Sequence, residues 1–320
     1  MAVAQRYPDA FDGVPGCAPW FSPPRAGNGG TPFRNPHSIG CEKPGIRNNE
    51  QTTLRNPPVI TAFLALLSAT SPILAAQIEP VKTTPRTLRP LPMSTGGRML
   101  TERTGDGARS YSYQWPGTYF EAAFKGNGVY FKVGPGDEIL HVLLDNQPPV
   151  ALIRPASGLY QINGMAKGAH TIRIEVVTES QDAPGVFGGF ALPAQATALP
   201  VPKRARQIEF IGDSYTVGYG NLSTKTDCTL EEVWATTDNS QAFGPLTAKH
   251  YDADYQINAI SGHGIVRNYN GRPGDPVPVA YPFIQFDKKM PYEDNAWRPQ
   301  IIVIGLGTND FSTELNPGEK

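Results

Sequence analysis

Residues 208–221 read IEFIGDSYTVGYGN. A run of apolar, β-forming residues ends in Gly212-Asp213-Ser214, and Gly218 and Gly220 follow at once. A buried strand has no use for a hydroxyl at its mouth. A serine presented where a strand ends can instead attack a carbonyl carbon, provided that a base accepts its proton and that donors for the developing oxyanion are already in place. Two further small-residue punctuations, Ser261-Gly262-His263-Gly264 and Gly307-Thr308-Asn309-Asp310, each close an apolar run of their own. The Ser214 N–H, the Gly262 N–H and the Asn309 amide form a candidate set of three donors around a Ser214 nucleophile. Each block alone reads as a turn. Asp213 and Asp310 read as carboxylates that hold turns and neighbouring loops.

For the blocks to meet, the elements that carry them must lie side by side. The stretches QIEFIG (207–212), YQINAISG (255–262) and PQIIVIGLGTND (299–310) show little alternation, as expected of strands covered on both faces. Between the first two, NSQAFGPLTAKHYDAD has apolar residues near helical spacing, with Ser240 as the expected N-cap and a clean helix only from Gly244-Pro245. Strand, helix, strand, connection, strand predicts a parallel, doubly wound α/β sheet. In such a sheet the ligand crevice lies outside the carboxyl ends of the strands, where the three blocks would converge.

The texture upstream differs. RSYSYQWPGTYFEAAFKGNGVYFKVG alternates apolar and polar residues, with a turn at Gly-Asn-Gly 126–128, and the pattern continues through EILHVLLDNQPPVALIRP and GLYQINGMAKGAHTIRIEVVTES. Short, closely spaced strands with no helix between them predict a β-sandwich of jelly-roll type. The expected boundaries are an approach segment at 77–97, the sandwich at 98–192, a Pro-rich connector at 193–207 and the α/β domain at 208–320.

The blocks GDS, G and GxND, in this order on successive strands, resemble the SGNH (GDSL-like) hydrolase superfamily. The extended forms GDSYTVGYGN, ISGHGIVRNY and IGLGTNDFS behind a β-sandwich are similar to carbohydrate esterase family 2, over about residues 98–320. The resemblance implies a secreted carbohydrate O-acetyl esterase of the acetylxylan type, acting on acetylated polysaccharide such as xylan without cofactor or metal. It makes Ser214 the nucleophile and Gly262 and Asn309 the rest of the oxyanion hole. It also implies a histidine base near the C-terminus, in an Asp-x-x-His or Asp-x-His context, after at least one more strand and helix. Here the sequence stops ten residues past Asp310, and His37, His141, His170, His250 and His263 all precede Asn309. The expectation is a hydrolase domain incomplete at its C-terminus, its last strand exposing apolar surface. His263 is expected to contact substrate, and Tyr219, Trp234, Tyr269 and Trp297 are candidates to stack on sugar rings or else to fill the core. A carbohydrate-binding protein or remnant without turnover, and an SGNH esterase or lipase for another acyl ester, stand as alternatives.

The bulk numbers narrow the partners. With 28 Lys+Arg against 29 Asp+Glu, the net charge of -1 leaves no basic field to attract nucleic acid or anionic lipid. The run PVITAFLALLSATSPILAA at 58–76 follows Arg55 and ends in small residues, the order of a secretory signal, so residues 55–76 are expected to be a signal peptide cut after Ala76. Pro72 interrupts the run and shortens it below the about 20 apolar residues of a membrane span. The destination is secreted or periplasmic. Residues 1–54 read as a disordered leader ahead of an expected true start near Leu54 or Arg55, and hold Cys17 and Cys41, so that Cys228 is expected to stand without a disulfide. The oligomeric state has no signature.

Overall fold

The computed structural model describes residues 77–105, 108–201 and 203–319, and the backbone of residues 4–6. The signal run and all but three residues of the leader lie outside them. Two antiparallel sheets form the first layer pair. One carries Ala4–Arg6, Val150–Ile153, Ile139–Leu144, Gly168–Val176, Tyr119–Gly126 and Thr197–Leu199 in spatial order, with Ser94–Gly96 also on Tyr119–Gly126. The other carries Gln77–Pro80, Gly158–Asn163, Val129–Val133, Gly185–Leu192, Arg109–Tyr113 and Met99–Arg103, with Arg89–Leu91 also on Gly185–Leu192.

Strand alternation builds the core between them. Phe120, Phe124, Ile172 and Ile174 from the first sheet meet Val129, Phe131, Phe187 and Phe190 from the second, and the Phe120 and Phe187 rings stack with centroids 4.2 Å apart. Burying each such side chain contributes about 1.5–3 kcal/mol. The turn at 126–128 joins strands of different sheets, so it is a corner of the sandwich and not a hairpin.

Two segments with weak local signals nevertheless pair. The expected approach segment at 77–97 supplies the strands Gln77–Pro80, Arg89–Leu91 and Ser94–Gly96, and the expected connector supplies Thr197–Leu199 and the start of Arg206–Gly212. A free strand neighbour decides such pairings more than intrinsic preference does.

The second lobe is a three-stranded parallel sheet in the order Ala253–Ala259, Arg206–Gly212, Ile301–Gly305. Phe210 and Ile257 are buried under the helix Phe243–His250, with the Phe210 and Phe243 rings edge to face at 5.8 Å. This helix does not begin at a Ser240 cap. Asp238 caps a 3-10 turn at Asn239–Gln241 instead, its carboxylate accepting the Ser240 N–H at 2.9 Å and hydroxyl at 2.6 Å. A carboxylate two residues ahead outcompetes the Ser240 hydroxyl, and the helix itself starts at Ala242 with no side-chain cap. On the outer strand, Ile301, Ile302 and Ile304 are all more than half exposed.

Polar side chains join the lobes. Arg98, almost fully buried, places its guanidinium among the rings of Trp115, Tyr281 and Tyr292 and its Nη2 3.3 Å from Glu209 Oε1. Arg173, between Glu121 and Glu175, lies over Tyr119, whose hydroxyl donates to Asp254 Oδ1 at 2.7 Å. Cys228 is disulfide-bonded, contrary to the expectation that it stands alone.

Candidate active site

The turn that carries Ser214, the candidate nucleophile, is shaped by close approach. Ser214 is the first residue of a one-turn helix, Ser214–Val217, whose N-cap Asp213 accepts the Tyr215 N–H at 3.1 Å. A Cβ on Gly212 would collide with Thr216 Oγ1, so only glycine lets the helix fold back on the strand. Gly218 ends the helix with φ 79°, its N–H returning to the Ser214 carbonyl. Ser214 is half-buried and Asp213 buried; burial pushes the Asp213 carboxyl up, the Asp310 charge adds to this, and the Tyr215 N–H pulls against it.

The register brings the other blocks to the same end of the sheet. Gly212 pairs with Ala259 on one side and Gly305 on the other, so the chain continues into Ser261-Gly262 and Gly307-Thr308-Asn309 beside Ser214. Gly262 has φ 80° and its carbonyl accepts the Tyr269 N–H at 2.8 Å. Asn309, buried, donates from Nδ2 to the His263 carbonyl at 2.8 Å. One bond fixes the amide plane, leaving the second Nδ2 hydrogen for an incoming oxygen. The Asp310 carboxylate accepts the N–H groups of Ile265, Val266 and Arg267 at 2.7–3.1 Å. Burial raises its pKa, but these three bonds outweigh that and hold it below the usual carboxylate range.

The aromatic and histidine candidates divide. Tyr219 and Tyr269 lie on the site loops: the Tyr219 N–H donates to the Ser214 carbonyl at 3.0 Å, and Tyr269 follows the Gly262 block. Both are half-buried. His263 is also half-buried, and its Nδ1 lies 2.7 Å from the Asp275 carbonyl. Trp234 packs instead on Ile139, Ala151 and Val177 of the sandwich, under the Arg154 guanidinium at 3.7 Å. Trp297 lies beside Glu209, its Nε1 3.4 Å from Glu209 Oε2, in a small pocket shared with Arg98, Tyr281 and Tyr292. Glu209 is three residues before Gly212, about 10 Å down the strand from the site. Among the described residues no group of three His, Cys, Asp or Glu side chains is placed to hold a metal ion.

Sequence patterns missed the sandwich's share of the site. Glu179 Oε1 accepts the Ser261 N–H at 2.7 Å, and Gln181 Nε2 donates to the Ser261 carbonyl at 3.0 Å. Both residues fall in a polar turn, SQDAPG preceded by glutamate, with no local sign of such a role.

Residues 96–202 match the family model for the carbohydrate esterase 2 N-terminal domain, and residues 208–320 match the GDSL-like lipase/acylhydrolase model. A solved carbohydrate esterase, described as showing divergent catalytic and non-catalytic binding functions at its active site, is 48% identical with a TM-score of 0.68, over 72% of this chain and 69% of that one. The chain belongs to carbohydrate esterase family 2. An acetylxylan esterase / glucomannan deacetylase of Cellvibrio japonicus (strain Ueda107) is 49% identical over 233 residues, 72% of this chain. The chain spans 65% of the length of that relative. A family two carbohydrate esterase from Clostridium thermocellum, solved in complex with cellohexaose, is 28% identical with a TM-score of 0.62, over 71% of this chain and 69% of that one. The family's two modules coincide with the sandwich and the parallel sheet.

Proposed function

We propose that this family 2 chain works as a secreted carbohydrate O-acetyl esterase, removing acetyl groups from a polysaccharide such as xylan. The observation that carries the reading is the meeting of Ser214, the Gly262 loop and the tethered Asn309 amide at the carboxyl ends of three parallel strands. Ser214 Oγ attacks the acetyl carbonyl carbon as its proton passes to a base, and the oxygen, now negative, takes up the Ser214 and Gly262 N–H groups and the Asn309 amide. Collapse expels the sugar oxygen, which leaves as the hydroxyl, and water then releases acetate from acetyl-Ser214. The strand order supports reading the second lobe as a doubly wound α/β sheet, and the facing antiparallel sheets support a jelly-roll sandwich. The apolar run at 58–76 supports export.

A second reading, binding of polysaccharide without turnover, is favoured by one observation: the 48% identical carbohydrate esterase is described as displaying divergent catalytic and non-catalytic binding functions at its active site. The two are separated by following acetate release from acetylated xylan and from 4-nitrophenyl acetate by the chain and its Ser214→Ala variant, beside their affinity for xylan. Release that disappears in the variant supports the esterase. Tight binding with no Ser214-dependent release replaces it by the binding reading.

A further inference from the structure

The loop that leaves the sandwich strand Gly168–Val176 touches both halves of the site in succession. The Val177 carbonyl accepts the Asn239 N–H at 2.8 Å. Asn239 Nδ2 in turn donates to the carbonyls of Thr216 and Val217, at 3.2 and 2.9 Å, in the helix that starts at Ser214. Glu179 and Gln181 then take the N–H and the carbonyl of Ser261. The loop is itself anchored to its own lobe: Thr178 Oγ1 accepts the Ile139 N–H at 2.9 Å, and Gln114 Nε2 donates to the Gln181 carbonyl at 3.0 Å.

The Ser261 carbonyl and the Gly262 N–H belong to one planar trans peptide unit, so they point in opposite directions. Whatever holds the carbonyl also aims the N–H. Gly262 needs such a restraint more than another residue would, because glycine rotates between backbone wells at little cost, and a rotation of this peptide would turn the donor away. Glu179 holds the preceding peptide through the Ser261 N–H, so two consecutive peptide planes are fixed from the sandwich side.

We propose that Glu179 and Gln181 are positioning residues, through which the sandwich aims the Gly262 N–H at the oxyanion that forms on the ester attacked by Ser214. The inference rests on the esterase reading for its kinetic consequences, and on the geometry of the Ser261–Gly262 peptide for its structural ones. Burial pushes the Glu179 carboxyl up, against the pull of its bonds to Ser261 and Gln181; either protonation state keeps Oε1 as an acceptor. Glutamine at 179 would accept the same N–H, whereas alanine would not, and methionine at 181 would keep the volume while losing the donor.

The test compares Glu179→Ala, Glu179→Gln and Gln181→Met with the parent chain. It reads kcat and KM on 4-nitrophenyl acetate, hydrogen exchange at the Gly262 amide and thermal unfolding. The expected result for Glu179→Ala and Gln181→Met is a roughly ten- to hundredfold loss of kcat, with KM within about threefold and faster exchange at Gly262. Glu179→Gln should return kcat to within about threefold of the parent. Folded Glu179→Ala and Gln181→Met proteins with kcat within about twofold of the parent would overturn the proposal, as would a glutamine variant no better than the alanine one. If the parent releases no Ser214-dependent acetate, the esterase reading falls. Exchange at Gly262 then decides the positioning claim: acceleration in both variants sustains it and unchanged exchange overturns it.

Discussion

At the scale of single residues, the proposed oxyanion donors differ in what holds them. Asn309 is fixed by its side chain's own bond to the His263 carbonyl, so Asn309→Ala removes a donor and loosens the neighbouring block together. On 4-nitrophenyl acetate it should lower kcat about a hundred- to a thousandfold while the circular dichroism melt stays cooperative. Gly262 presents a different case. An added Cβ there meets no atom within 4 Å, so its φ of 80° is the sole reason for glycine. Gly262→Ala should therefore cost about 1–2 kcal/mol in urea unfolding or else relax the peptide and lower kcat. A variant unchanged in both measurements would contradict the assignment of strain.

Among elements, one contact ties strand ends of the two sandwich sheets together. Tyr113, closing the strand Arg109–Tyr113, donates its hydroxyl to Glu138 Oε1 at 2.7 Å, just ahead of Ile139–Leu144. Burial raises the Glu138 carboxyl from 4.5 to about 7, with the Tyr113 bond opposing and the Asp137 charge adding. The folded state therefore holds a proton that the unfolded chain releases near pH 4.5. This contribution to stability is complete below that pH and is lost as the pH rises through about 7. Its full size is at most about 3 kcal/mol. Glu138→Gln, neutral throughout, should flatten the dependence of unfolding free energy on pH between about 4.5 and 7; urea titrations across that range measure it. A slope equal to the parent's would assign the pH dependence to other groups.

For the molecule as a whole, the seam between lobes is built from charges withdrawn from water. Glu209 Oε1 accepts from Arg98, Asn258 and the Tyr281 hydroxyl. Arg98→Met leaves the buried Glu209 without its cation and should destabilise the chain by about 3–5 kcal/mol, whereas Arg98→Met with Glu209→Gln should recover part of that loss. Equilibrium unfolding of these two variants and of Glu209→Gln alone, followed by tryptophan fluorescence, distinguishes coupling from simple addition. Trp115 reports on the same seam: it packs on Ile260, Val277 and Ala280 below the site loops, and its Nε1 donates to the Phe283 carbonyl at 3.1 Å.

The parallel strands and the blocks at their ends were legible because their signals are local. A nucleophile turn needs glycines within a few residues of its serine, and buried parallel strands announce themselves by unbroken apolar runs. The same locality explains the misses. Ser240 reads as a cap until Asp238 is seen to take its place, and the Pro- and Thr-rich segment at 77–97 shows no strand until partners are alongside it. Trp234 and Trp297 read as core or as sugar platforms in a string of letters, and only the structure sets one under Arg154 and the other beside Glu209. By itself, then, the sequence determined the family, the order of the lobes and the blocks Ser214, Gly262 and Asn309. Only the tertiary structure decided that Glu179 grips Ser261 from 82 residues away, because contacts at that separation are chosen when the lobes dock and leave no periodicity to read.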